Sequence, residues 1–363
     1  MRPLVPTHVE TLKPYVPGKP IEETEREFGL KGVIKLASNE NPLGPSPRAV
    51  EAMRTASAAT HLYPDATSFH LVRKLAAHVG VRPEEVVLGC GSNELIELLI
   101  RTFTTPEDEI LLCKGSFSAY RISAQAHGRP FVEVPMKAGY QYDLEAMAKA
   151  VTPRTRMVFL ANPDNPTGTA FSRAALEQFL AAVPAEVLVV HDEAYFEFVD
   201  WPEYASGVEL FRKHPNLVAL RTFSKIHGLA GVRLGYGIMD AKLAAYVHRT
   251  RMPFNLTVVA QAAGMAALED TEHVKRTREN NRLGLRYYAE ELPKLGATLT
   301  HSHANFVFAD FHRPAVELYE LLLRKGVIVR PFASQGFPTC LRISVGTPAE
   351  NERCVRALKE ILS

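Results

Sequence analysis

The sequence of 363 residues has few cysteines, no excess of charge and no long apolar run, and each shortage narrows what it can be. Cys90, Cys113, Cys340 and Cys354 are widely spaced and none forms a C-x-x-C pair, which argues against a disulfide framework and against a zinc site. Lysine and arginine number 42 against 40 acidic residues, a formal net charge of +2. So near neutrality there is no electrostatic footprint for nucleic acid and no polybasic patch for a membrane. The longest apolar candidate, Phe254 to Leu268, is interrupted by Asn255, Thr257 and Gln261 and falls short of the roughly 18 to 20 residues of a membrane span. The N-terminus runs from Met1 into Pro14, Pro17 and Pro20 with charges between them. It has no apolar signal segment, and the protein reads as soluble and cytoplasmic. G-x-x-x-x-G-K-S/T, H-E-x-x-H and G-x-S-x-G are all absent, and Gly89-Cys90-Gly91 lacks the third glycine of a dinucleotide fingerprint. His301 and His303 would share one face of a strand, but with no third ligand in view they read as a polar pair.

What is present is a globular composition, 46% apolar and 23% charged, long enough for two or three packing units. After a Pro-rich, charged arm leading into a short helix, short apolar runs alternate with helical patterns. Strands are expected at 86–90, 109–113, 131–134, 156–161, 187–191, 217–222 and 234–239. Helices are expected at 68–79, from Ser92 as a cap through Phe103, and at 117–127, 143–150 and 172–183. That alternation predicts an α/β fold with a buried, mostly parallel sheet covered by helices on both faces. From about 240 to 295 the pattern is helical. The last 70 residues predict a compact α+β unit, with strands at 304–309, 327–330 and 340–345 and helices at 314–324 and 348–361.

Four features sit at predicted strand ends, where open α/β sheets bind ligands. Asn162-Pro-Asp-Asn165-Pro-Thr-Gly168 is a rigid loop able to aim the Asn165 amide inward. Asp192-Glu-Ala-Tyr195 puts a carboxylate after a buried strand. Thr222-Phe-Ser224-Lys225 is followed by Arg233. Gly91-Ser92-Asn93 opens a helix whose start suits a phosphate. Each alone has an ordinary reading as a turn, a cap or a solvated charge. Together they are the set that pyridoxal 5′-phosphate needs. Lys225 would form the Schiff base and then move the substrate proton. Asp192 would pair with the ring nitrogen, and Asn165 and Tyr195 would bond the ring oxygen. Arg233, Ser92, Thr222 and Ser224 would hold the phosphate.

On these residues the sequence resembles the fold type I pyridoxal-phosphate aminotransferases and, within them, the histidinol-phosphate aminotransferase family. Further motifs that carry the resemblance are Leu36-Ala-Ser-Asn39-Glu40-Asn41-Pro-Leu-Gly44-Pro, Tyr63-Pro-Asp65, Ala230-Gly-Val-Arg233-Leu-Gly235 and Leu341-Arg342-Ile-Ser-Val-Gly346. The resemblance implies an arm over residues 1–35 that packs with the small domain. It implies a large cofactor domain over 36–270 with a seven-stranded sheet, and a small domain over 271–363. It implies that Tyr63 reaches the cofactor phosphate of a neighbouring subunit, making a homodimer. Arg342, assisted by Arg330, would grip the substrate's acidic group, and Tyr15 would help close the site. Two departures bear on substrate choice. Phe117 stands where many relatives stack a tyrosine on the cofactor ring, and Met252-Pro-Phe254-Asn255 replaces a Pro-Tyr pattern. The function implied is transamination between histidinol phosphate and 2-oxoglutarate, yielding glutamate, in histidine biosynthesis. An aromatic amino acid aminotransferase and a threonine-phosphate decarboxylase-like lyase are the alternatives.

Overall fold

The computed structural model describes residues 4–363, so the first three residues of the expected arm lie outside it. Its strands are β1 (Ile34–Lys35), β2 (Val86–Gly89), β3 (Glu109–Cys113), β4 (Phe131–Val134), β5 (Thr155–Ala161), β6 (Leu188–Asp192) and β7 (Leu217–Thr222). They continue with β8 (Gly235–Ile238), β9 (Thr298–Leu299), β10 (Phe306–Asp310), β11 (Val327–Ile328), β12 (Arg330–Phe332) and β13 (Phe337–Ser344). Seven of them form one sheet in the order β2-β8-β7-β6-β5-β3-β4. All run parallel except β8, which is antiparallel to both neighbours. The strands read as continuous apolar runs because both faces are covered. Alternate side chains enter two separate cores. Leu111, Val158, Val189 and Ala219 face one layer of helices, and Ile110, Phe159, Val190 and Leu220 face the other.

The C-terminal part folds around a second sheet, β12-β13-β10-β9, covered by the helices Thr271–Glu291, Ala315–Arg324 and Pro348–Leu362. Its core holds Val307, Leu318, Leu322, Leu341, Ile343 and Leu358. The arm does not pack with this unit alone. Its first helix, Thr7–Glu10, lies on the helix Ser118–Ala126 of the larger unit, where Gln125 Nε2 donates to the His8 carbonyl at 3.1 Å. The chain then crosses over, and β1 pairs in parallel with β11. Helix Gly91–Phe103 begins two residues earlier than expected, with Cys90 rather than Ser92 as its cap, so Ser92 sits inside the first turn. The reason is Gly91, whose φ of 75° turns the chain into the helix in a region that glycine enters freely.

The parity of the strands also sorts the polar residues at the sheet's carboxyl end. Asp192 and Thr222 follow Val190 and Leu220 onto one face. Glu193 and Arg221 take the other, where Arg221 Nε donates to Glu193 Oε2 at 2.8 Å and Nη2 to Ser206 Oγ at 2.9 Å. Burial alone would raise the Glu193 carboxyl, but the Arg221 charge overrides it and holds it down to about 2. An Arg221→Met variant should therefore lose about 3–5 kcal/mol, because it strands a buried carboxylate. Urea unfolding of the purified variant measures this, and a loss below about 1 kcal/mol would mean that the pair is not what joins β6 to β7.

Candidate active site

A cavity of about 420 Å³ opens at the carboxyl ends of β5, β6 and β7, between the two sheets. Its wall holds every residue assigned above to cofactor or substrate except Gly91, Tyr63 and Arg330. The loop after β5 brings Asn165, β6 ends on Asp192, Tyr195 follows it, and the turn after β7 carries Ser224 and Lys225. That turn is anchored from outside. A Cβ at Gly228 (φ 67°) would stand 2.2 Å from the Gly44 carbonyl oxygen, so the Asn41–Pro45 segment packs directly on the lysine turn.

Three cations meet here, and their hydrogen-bond partners are neutral. Lys225 Nζ donates to the Ser38 carbonyl at 3.2 Å, and Arg233 Nη1 to the Ala230 carbonyl at 2.9 Å. Arg342 donates to Asn165 Oδ1 and to the Ala37 carbonyl, each at 2.5 Å, while its Nε is buried with no partner among the described residues. Burial, helped by the charge of Arg342, lowers Lys225 to about 8. Burial likewise lowers Arg342 to about 10. The carboxylate is as poorly compensated. Asp192 accepts from the Tyr120 hydroxyl at 2.7 Å and from the Ala194 N–H at 3.1 Å, and burial pushes it up to about 6. Such a set asks for a ligand that is anionic in two places and cationic in a third.

The Arg233 guanidinium lies against Gly91, where a Cβ would come within 2.3 Å of Nη2. Together with the start of helix Gly91–Phe103 and the hydroxyls of Ser92, Thr222 and Ser224, it forms a cradle suited to phosphate. Thr222 Oγ1 donates to Ser224 Oγ at 2.9 Å and accepts the Ser224 N–H at 3.1 Å. Phe117 caps the helix Ser118–Ala126 and faces the same space.

The structure puts three expected residues elsewhere. Tyr63 is 83% exposed and stacks on Phe254 with centroids 4.6 Å apart. Arg330 is the register partner of Arg342 across β12 and β13, but its Nη2 holds the Val16 carbonyl at 2.6 Å and its guanidinium lies over the Tyr15 ring. Gly91 stands behind the cradle. Conversely, Tyr120, Ser38 and Asn39 belong to the site, although the pattern did not single them out. Asn39 Nδ2 donates to the Tyr195 hydroxyl at 2.9 Å, and its backbone N–H to Ser344 Oγ at 2.9 Å, joining Tyr195 to β13. Only the motif around Asn39 hinted at this. His301 and His303 line a separate pocket, ring to ring at 4.7 Å, with His303 stacked on Trp201 and its backbone N–H on the Gly168 carbonyl at 2.8 Å.

Comparison with known proteins agrees with this geometry. Residues 31–358 match the model of the family described as aminotransferase class I and II. The chain is 56% identical over 361 residues to the histidinol-phosphate aminotransferase of Anaeromyxobacter sp. (strain Fw109-5), covering 99% of each. It is 47% identical over 354 residues to that of Moorella thermoacetica, covering 97% of this chain and 92% of the relative. Among solved structures, the histidinol-phosphate aminotransferase from Sinorhizobium meliloti in complex with pyridoxal-5′-phosphate superposes with a TM-score of 0.91 at 28% identity, covering 100% of this chain and 98% of that one.

Proposed function

The chain belongs to the class I and II aminotransferases and, within them, to the histidinol-phosphate aminotransferases, and from that premise we propose that it exchanges the amino group of histidinol phosphate for the keto group of 2-oxoglutarate on pyridoxal 5′-phosphate. The observation that carries the reading is the meeting of Lys225, Asp192 and Arg342 in one cavity. Bound there, the cofactor supplies a carbonyl for the amine and an electron-withdrawing ring that accepts the electrons left when the substrate α-proton departs.

The residues do the rest. Lys225, with its basicity lowered by burial, attaches the cofactor and then shuttles the proton at the substrate α-carbon. Asp192 meets the protonated ring nitrogen, Asn165 and Tyr195 hold the ring oxygen, and Phe117 covers the ring face. Arg233, Ser92, Asn93, Thr222 and Ser224 seat the phosphate. Arg342 binds the substrate's carboxylate or phosphate through donors that already point into the cavity wall, with Arg330 and Tyr15 holding the arm beside it. In this reading residues 36–270 carry the cofactor, and residues 271–363 bring the two arginines over it. The exposed apolar cluster of Leu62, Tyr63, Met252 and Phe254 then faces a second copy in a homodimer and offers Tyr63 to its phosphate. The enzyme serves histidine biosynthesis in the cytoplasm.

Rapid mixing of the loaded enzyme with histidinol phosphate or phenylalanine, followed by absorbance, tests the substrate. A fast change with histidinol phosphate alone supports the proposal. One with phenylalanine alone would replace it with an aromatic aminotransferase. An Arg342→Ala variant should raise KM for histidinol phosphate and 2-oxoglutarate about a hundredfold, through loss of charge-assisted hydrogen bonds. Steady-state kinetics measure this, and an unchanged KM would put the anion site elsewhere.

A further inference from the structure

The carboxylate at the end of β6 is held by more than its own strand. Tyr120, in the helix Ser118–Ala126, donates its hydroxyl to Asp192 Oδ2 at 2.7 Å, while the Ala194 N–H serves Oδ1. One donor on each oxygen fixes the plane of the carboxylate and leaves a second lone-pair site on each for a ligand. The hydroxyl is itself aimed by packing. The Tyr120 ring stacks on Phe159 of β5, with centroids 4.6 Å apart and planes 11° from parallel. It meets Phe117 edge-on at 5.4 Å and 90°. One side chain, 2% exposed, thus contacts both the expected partner of the ring nitrogen and the aromatic expected on the ring face.

We propose that Tyr120 is a positioning residue for the cofactor, acting through Asp192 by fixing the orientation of its carboxylate and through Phe117 by supporting its ring. The inference rests on the pyridoxal phosphate reading above. Burial and the neighbouring Asp192 raise the Tyr120 hydroxyl well above its ordinary value, so it keeps its proton and acts only as a donor toward the carboxylate. Burial drives Asp192 up and this hydrogen bond draws it down. Of the other ionisable groups facing the carboxylate, His191 draws it down and Glu193 pushes it up. Lys225, Arg233, Arg342, Tyr195 and Glu97 line the same cavity, and Tyr142 and Asp164 face the Tyr120 hydroxyl itself.

The test measures the affinity of the protein for pyridoxal phosphate between pH 5 and 8.5 by equilibrium titration. Tyr120→Phe keeps the ring and removes the donor. It should raise Kd about tenfold at pH 7.5, or about 1.4 kcal/mol, and move the acid limb of binding upward by about one pH unit. In an Asp192→Asn background the same substitution should cost less than about twofold, because the hydroxyl acts through the carboxylate charge. Phe159→Leu, which loosens the stack that aims the hydroxyl, should lower thermal stability and move the acid limb upward by less than Tyr120→Phe does. An unchanged Kd and limb in Tyr120→Phe, or an equal loss in both backgrounds, would overturn the inference alone. A wild-type protein that takes up no pyridoxal phosphate would overturn the cofactor reading and this inference with it.

Discussion

Replacing Lys225 by alanine should abolish transamination while leaving the fold intact. Among the described residues Lys225 is the only lysine in the cavity wall, so among them no second amine stands ready to attach the cofactor or to move the α-proton. Loss of both roles should lower the rate by at least on the order of 10⁴, and the absorbance of the attached cofactor should vanish. Stability should hold or rise, since a buried amine with one carbonyl partner is a poor structural element. The pH dependence gives an independent reading. Burial lowers this amine to about 8, so its neutral, nucleophilic form is lost as pH falls below 8 and gained above it. The rate at which wild-type apoprotein attaches pyridoxal phosphate should therefore climb between pH 7 and 9, with a midpoint near 8. Stopped-flow absorbance measures it. Normal turnover by the variant would remove Lys225 from the chemistry.

The residues legible in the sequence are those whose position follows from a strand end. Asn165, Asp192 and Lys225 each come just after an apolar run, and a parallel sheet places all such ends on one edge. What escaped had no pattern of its own. β1 and β9 are two residues long, too short to show a period, and the strand expected at 327–330 is divided between β11 and β12, which join different sheets. Tyr120 fits the apolar stripe of its helix as any core tyrosine would, and only tertiary packing shows where its hydroxyl goes. Ser92 has a good cap's chemistry, but the backbone turn lies at Gly91, and the turn decides where the helix starts. The two ends of the arm touch different units, which no local reading of its prolines and charges can express. Tyr63 is legible as a motif only, because within this chain it is exposed and touches Phe254 rather than the cavity.

Asp192→Ala should leave a protein that binds pyridoxal phosphate weakly and turns over slowly, because in the proposed function this carboxylate, which has no hydrogen-bonded cation of its own, would meet the ring nitrogen. At an effective dielectric near 20 and about 3 Å, that pair is worth on the order of 5 kcal/mol before desolvation, so kcat should fall on the order of 10³-fold. A twofold loss would mean that the acid is not the ring's partner. The same substitution should act on the apoprotein in the opposite sense. Asp192 sits at about 6 in the folded chain against an ordinary 3.8, so the folded state binds the proton more tightly than the unfolded one. The contribution of Asp192 to wild-type stability therefore declines as pH rises from about 4 to about 6 and stays lower above that. The alanine variant lacks this decline. Its stability relative to wild type should increase by on the order of 3 kcal/mol between pH 4 and pH 7, as read from urea unfolding of cofactor-free protein at each pH. A flat difference would show that the carboxylate is compensated within the chain, and the need for a cationic ring against it would disappear. A rising difference alongside the kinetic loss would show an acid kept at a cost to folding, which only a bound cation can offset.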